Sequence, residues 1–305
     1  MDAGGEERVP LSWRRAKGET MALDVSVLGF GDNVVDIYEH TGTMYPGGNA
    51  VNFAVAAKRC GAERSAYMGY FGSDAAAEHV IASLEEEGIE LVKCKQLLGP
   101  NGAARVTLVD GDRVFLGSNE GGIRGETSYV LDRFDLAYIK QFDVVHTGNY
   151  CFTERQLPKI HNAGVPISFD FSDDSSWEYY EQIAPLVDFA FMSCSEMSEQ
   201  ETIEHLHRIV ELGPKYANAT RGAEGAIGFD GERLYRQAPA PVEHLVDTMA
   251  AGDTFLTGFI VSWFDLTKQG VEGSDRIEQS LAFAATAAAR ACESDGSWGH
   301  GAPMA

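Results

Sequence analysis

The stretch FDVVHTGNYCFTERQLPKIHNAGVPISFDF, residues 142–171, sets the fold class. An apolar run at Phe142–Thr147, a helix-like stretch at Glu154–Ala163 closed by Gly164, and a second apolar run at Pro166–Phe171 make one strand, helix, strand unit. Strands joined through a helix run parallel, and strands apolar along their whole length are covered on both faces. The rhythm continues in both directions. Val25–Phe30, Ser65–Tyr70, Val187–Met192 and Tyr216–Thr220 read as further buried strands, and Asn52–Arg59, Ala75–Glu87 and Glu196–Leu212 as helices, with Gly61, Gly88 and Gly213 placed to cap them. The expected architecture is α/β: a mostly parallel central sheet between two layers of helices, a three-layer αβα sandwich.

Two segments depart from that rhythm. Ala104–Val109 and Arg113–Gly117 meet at Asp110-Gly111, the signature of a β-hairpin. With the short excursion Ile37–Tyr45 this hairpin would form a small β lid, from segments of about 37–47 and 102–120, over the strand ends where α/β folds bind ligands. An ordinary edge hairpin fits the same pattern. Ala226–Phe229 and Arg233–Tyr235 around Asp230-Gly231 read as a second hairpin.

Composition narrows the function. The 305 residues carry 24 Lys+Arg against 46 Asp+Glu, a net charge of −22, which repels phosphate backbones and anionic lipid surfaces, so neither nucleic acid nor membrane is an expected partner. Five scattered cysteines, without a CxxC pair, suit a reducing cytoplasm better than a disulfide framework or a zinc site. Residues 1–22 are polar and are expected to be a flexible extension outside the fold.

The strongest chemical signal is Asp247-Thr248-Met249-Ala250-Ala251-Gly252-Asp253-Thr254-Phe255, which leads into the apolar run Leu256–Phe264. Small residues at Ala250, Ala251 and Gly252 leave the unpaired N–H groups of a helix start open to a phosphate, and Asp253 beside them could take the proton of a hydroxyl. A capped helix with a first-turn acid fits equally well.

Near the other end, Pro46-Gly47-Gly48-Asn49-Ala50-Val51-Asn52 places glycines and neutral amides where they could bind a polyol, with a plain glycine turn as the alternative. Asp36, just past the first strand, is another candidate for hydroxyl binding. Gly29-Phe30-Gly31-Asp32-Asn33-Val34 lacks the third glycine of a dinucleotide fingerprint, which argues against an NAD-dependent oxidoreductase. Thr220-Arg221-Gly222-Ala223-Glu224-Gly225 could approach nucleotide phosphates, although glycines after strands are commonplace. There is no P-loop sequence. His205 and His207 point to different sides of a helix and do not form a metal pair.

Taken together, the GGNAVN segment and DTMAAGDTF resemble the two motifs of the ribokinase-like (PfkB) carbohydrate kinases, over roughly Leu23 to Trp298. Within that family GDNVVDIY, the GDRVF hairpin, HNAGVPISFDFSD and RQAPAPVEHLVDTM look most like the fructoselysine 6-kinase branch. The resemblance implies one kinase domain over residues 23–305, with the ribokinase-like fold. It also implies ATP-dependent phosphorylation of a sugar hydroxymethyl group, with Asp253 as base and the Ala251–Asp253 amides as anion hole. By that match Asp36, Gly48 and Asn52 would bind the sugar, and Thr220, Gly222 and Gly225 would line the nucleotide site; from their positions Gly47 is a further candidate for the sugar, and Arg221 and Gly252 for the nucleotide. Glu196 would serve Mg2+ and Asp247 a K+ ion. The magnesium motif appears here as Ser193-Cys194-Ser195-Glu196, with Ser in place of the family Asn.

From their position after the hairpin, Asn119 and Glu120 are expected over the sugar, with Asp173 a further partner for a cationic tail; Arg113 or Arg105 would meet a phosphate. A homodimer through the lid is a further expectation. The alternatives are a kinase of the same family for fructose, ribose, 2-keto-3-deoxygluconate or a nucleoside, and a non-catalytic sugar-binding homologue.

Overall fold

The computed structural model of the chain describes residues 22–304 apart from 110 and 111. The expected extension up to residue 21, the Asp110-Gly111 turn and the side chains of 108–114, Arg113 among them, lie outside the described residues. The chain begins with β1 (Leu23–Gly31), β2 (Val34–Tyr38), β3 (Thr43–Gly47), α1 (Asn49–Arg59), β4 (Ala62–Phe71), α2 (Ala75–Glu86) and β5 (Lys95–Gln96). It continues through β6 (Gly102–Val109), β7 (Asp112–Ser118), α3 (Ile123–Glu126), α4 (Arg133–Ile139), β8 (Val144–Gly148), α5 (Leu157–Asn162) and β9 (Ile167–Asp170). It ends with α6 (Trp177–Ile183), β10 (Phe189–Ser193), α7 (Glu199–Glu211), β11 (Tyr216–Thr220), β12 (Ala226–Phe229), β13 (Leu234–Gln237), α8 (Ala251–Lys268), α9 (Gly273–Ala291) and β14 (Ala302–Pro303).

The large sheet has the order β13-β12-β11-β10-β9-β8-β1-β4-β5. It is parallel from β5 through β11, and only the hairpin strands β12 and β13 run antiparallel. Three cores flank the strands. On one face α4 to α7 bury Tyr138, Leu157, Ile160, Ile183, Leu206 and Ile209 against Leu28, Phe169 and Ala190. On the other, α1, α8 and α9 bury Phe53, Phe259, Ile260 and Leu281 against Val25, Val27 and Phe191. Both faces of the sheet being covered explains why its strands read as unbroken apolar runs.

The smaller sheet has the order β14-β3-β2-β6-β7. Its hairpin β6–β7 and the excursion β2–β3 join as expected, through a parallel β2–β6 pairing. The pairing of Ala302–Pro303 with β3 adds a strand too short to be read from the sequence. Val35 and Met44 of this sheet pack with Val51, Val55, Val80 and Trp298 in the third core.

The chain runs from β1 to β4 on one side of β1, and later to β8 on the other. Loops leaving neighbouring parallel strands in opposite directions open a crevice at their carboxyl ends. Asp32, Gly148, Asp170, Ser193 and Thr220 stand at or just beyond the ends of β1, β8, β9, β10 and β11 along that edge. The head of α1 sits close over β1 because residue 29 is glycine: a Cβ there would lie 2.1 Å from the carbonyl oxygen of Ala50.

Candidate active site

Asp253 lies in the first turn of α8. The residue before the helix, Ala250, is left-handed at φ 55°, and the preceding turn is closed by the Ala251 N–H donating to Thr248 O at 3.2 Å. Thr254 N–H takes up the Ala250 carbonyl at 2.8 Å. No protein acceptor among the described residues meets the N–H groups of Gly252 and Asp253, and the space where Gly252 would carry a side chain is empty. Of the three amides expected to form an anion hole, two are therefore unengaged and the third closes a turn. The helix dipole adds partial positive charge at the same point.

The carboxylate of Asp253 faces the head of α1. Its Oδ1 accepts from Asn49 Nδ2 at 2.9 Å and its Oδ2 from Asn52 Nδ2 at 2.7 Å. Burial raises its pKa to about 6, against the lowering effect of those two amides, and the charge of Asp32 adds to the rise. Asn52 is fixed in turn by Trp298, whose Nε1–H donates to its Oδ1 at 3.0 Å. The other amide hydrogen of Asn49 reaches Asp170 Oδ2 at 2.9 Å. Burial, and then the neighbouring charge of Asp253, raise Asp170 to about 7.

Asp32 organises this end of α1. Its carboxylate accepts from the N–H groups of Asn49 and Ala50 at 3.0 and 2.9 Å and from Cys151 Sγ at 3.1 Å. It thereby caps the helix start that Gly48, at φ 110°, leaves without a side-chain cap of its own. Asp32, His146 and Asp170 were not among the expected site residues. The GDN sequence after β1 was the one available signal for Asp32; His146 and Asp170 lie inside strands that read only as apolar runs.

The remaining expected residues divide. Asp36 is buried on β2, and a Cβ at Gly47 would lie 2.4 Å from its Oδ2, so this glycine makes room for the carboxylate. Thr220, Gly222 and Gly225 line a cleft of about 560 Å³ that runs from Gly252 to a wall of Pro239, Ala240, Val242 and Leu245. A second, adjoining cleft joins Thr220 to Asp170, Gly252 and Asp253. Gly225 is required there, since a Cβ would lie 2.1 Å from the Gln237 carbonyl oxygen.

Four expected residues are engaged elsewhere or stand outside the two clefts. Arg221 turns away from the cleft: its guanidinium donates to Met197 O at 3.2 Å and pairs with Glu224. Asn119 closes the small sheet, donating one amide hydrogen to Asn101 O and accepting from Ala103 N–H at 2.7 and 2.8 Å, so its side chain is held by the backbone of that sheet. Arg105 is paired with Glu39 at 3.0 Å. Glu196 is exposed and lines a separate groove with Trp177, Met197 and Arg208. Glu120 is exposed in the left-handed conformation at φ 53° beside the lid strands. Asp247 lies at the root of the site. Its Oδ2 accepts from Tyr38 OH at 2.6 Å and Gly296 N–H at 3.0 Å, and its Oδ1 from Met249 N–H at 2.9 Å.

Known proteins of similar sequence and fold place the chain in a family. A family model described as pfkB family carbohydrate kinase matches residues 17–299. Fructosamine kinase FrlD of Bacillus subtilis (strain 168) is 39% identical over 280 residues, covering 92% of this chain and 95% of that one. Fructoselysine 6-kinase of Escherichia coli (strain K12) is 33% identical over 269 residues, covering 88% and 97%. Among solved structures, ribokinase from Giardia lamblia superposes with a TM-score of 0.77 at 18% identity, covering 90% of this chain and 96% of that one. Arabidopsis thaliana ribokinase complexed with ribose and ATP does so with a TM-score of 0.71 at 22% identity, covering 92% and 96%. The fold is ribokinase-like, and the chain belongs to the pfkB family of carbohydrate kinases. It is an ATP-dependent carbohydrate kinase.

Proposed function

We propose that this kinase phosphorylates a fructosamine, most specifically the 6-hydroxyl of fructoselysine, with Asp253 as general base. The observation that carries the chemistry is the pairing of a half-buried carboxylate with two unengaged N–H groups at the head of the same helix, where Asp253 borders one cleft and Gly252 borders both. Asp253 would take the proton of the sugar hydroxyl as its oxygen bonds the γ-phosphorus and the bond to ADP breaks. The N–H groups of Gly252 and Asp253 would hold the charge on the phosphoryl oxygens. The substrate assignment rests on the 39% and 33% identical relatives, both covered almost throughout. A cationic amine on the sugar would also be drawn to a protein of charge −22. Gly47, Gly48, Asp36 and Asn52 would form the sugar side, with Glu120 and Asp173 near the amine-bearing tail. Thr220, Gly222 and Gly225 would form the nucleotide side.

Neither cleft has a Lys or Arg among its described lining residues. The triphosphate charge must then be met by N–H groups and a divalent cation, which fits Mg2+. Mg2+ is held in such sites by phosphates, water and one or two carboxylates. Glu196 is the carboxylate nominated for it, and its chemistry would be to neutralise and orient the phosphates. A K+ ion would belong near Asp247, whose carboxylate already ties three segments together.

The test is ADP release with ATP, Mg2+ and K+ across fructoselysine, other fructosamines, fructose, ribose and adenosine. A selective fructosamine signal is expected. Asp253→Asn is expected to lower kcat by about 10²–10⁴-fold while leaving ATP binding within a few-fold of the parent. Retained turnover in that variant would remove the base assignment, and a preference for a neutral sugar would remove the substrate assignment.

A further inference from the structure

The network behind Asp253 has a determined order of donors and acceptors. The Asp253 and Asp170 oxygens accept both hydrogens of Asn49 Nδ2, so Asn49 Oδ1 is an acceptor, and the atom 3.0 Å from it, His146 Nε2, must carry the hydrogen. His146 is completely buried, and burial lowers its pKa to about 3, so the ring is neutral. Its Nδ1 therefore accepts from the hydroxyl of Ser168, also 3.0 Å away and completely buried. The imidazole is further fixed by stacking on Phe53, with ring centroids 4.3 Å apart. A continuous chain thus runs from Ser168 through His146 and Asn49 to two carboxylates. Asn49, whose amide the sequence suggested for a polyol, has both hydrogens committed to it.

We propose that Asn49, held by His146, is the positioning residue that aims the Asp253 carboxylate and ties it to Asp170, so that the two carboxylates work as one coupled acid–base pair. This rests on the reading of Asp253 as general base and adds Asn49, His146 and Asp170 to it. Two carboxylates that share one amide group repel each other when both are ionised, and the amide is the donor that makes their double ionisation tolerable. With both carboxylates ionised, transfer of the hydroxyl proton to Asp253 removes their mutual repulsion and leaves one negative charge, on Asp170. Other titratable groups facing the pair are Asp32 from the loop after β1, Asp173 from the loop after β9, Tyr180 from α6 and Cys151 beside Asn49; His146 from β8 is neutral. The coupling is thus set by Asn49 and not by a neighbouring cation.

The pH profile of kcat/KM distinguishes this from a merely structural role. Asn49→Leu removes donors to the charged form, and is expected to move the acid limb upward by roughly one pH unit and to lower kcat at least ~10-fold, with KM for ATP within about twofold. Asp170→Asn removes a like charge and is expected to move the limb the other way, with the upper of two ionisations lost. His146→Phe keeps the stacking but not the N–H and should behave as a weaker Asn49→Leu, while His146→Gln, which restores an N–H donor, should recover part of the loss. The His146 pair also serves if Asn49→Leu does not fold. Carboxyl 13C NMR titration of the unliganded protein, with Asp253 assigned from Asp253→Asn, gives the same pKa values without turnover. Failure of the base assignment would show as an active Asp253→Asn variant; failure of the present proposal would show as an Asp253 titration unchanged by Asn49→Leu or by loss of the His146 donor.

Discussion

At Asp253 two opposing effects meet: removal from water disfavours the ionised carboxylate, and the amides of Asn52 and Asn49 favour it. Burial wins, leaving the group at about 6, low enough to be ionised at neutral pH and high enough to hold a proton for the duration of a transfer. Because the ionised form is the active one, kcat/KM is expected to rise with pH through about 6 and to fall tenfold per unit below it, read from initial rates at subsaturating sugar. A profile flat from pH 5 to 8 would exclude Asp253 as the titrating base. The same site holds Ala250 in the left-handed region, which costs a residue with a Cβ about 1 kcal/mol. That turn gives α8 its abrupt start, with the Gly252 and Asp253 amides facing open space. The sequence showed that Ala250 was small; its backbone conformation comes from the turn that Thr248 and Ala251 close.

At the level of elements, α1 is the part on which the site depends, since its first turn carries both Asn49 and Asn52. Its position follows from Gly29 beneath and Asp32 at its head. Gly29→Ala is expected to destabilise the fold by about 1–3 kcal/mol, because its new methyl would meet backbone, which cannot swing aside as a side chain can. A chemical denaturation midpoint equal to the parent's would contradict this. The sequence placed the start of this helix at Asn52, one turn late. Gly47 and Gly48 looked like a loop, and the capping carboxylate that lets the helix begin at Asn49 comes from residue 32, outside any local window. In contrast Tyr216–Thr220 and Ala75–Glu86 appear with the expected limits almost to the residue, because their periodicity and flanking residues are local.

Across the whole molecule, β7 is the unpaired edge of the smaller sheet, and Phe115 and Leu116 on it are 64% and 50% exposed. Adjacent residues of a strand point to opposite faces, so both sides of this edge offer apolar surface, and a second copy is the partner we propose for it. Sedimentation velocity is expected to give a dimer for the parent and a monomer for the Phe115→Glu, Leu116→Glu double variant; a monomeric parent would remove the proposal. The sequence alone left the small second sheet as one of two readings of the hairpin, and determined the parallel α/β architecture and the family motifs. Each of these is written in short-range periodicity or in residues whose size and dihedral freedom matter where they stand. Tertiary structure alone decided how side chains were used. Asn49 meets His146, Asp170 and Asp253 across 97, 121 and 204 residues, while Arg221 and Asn119, equally suited by type to a ligand, are spent on Met197 and on the backbone of the smaller sheet. A polar side chain bonds to whichever group folding brings within about 3 Å of it, and that distance is fixed by the meeting of strand ends far apart in the chain.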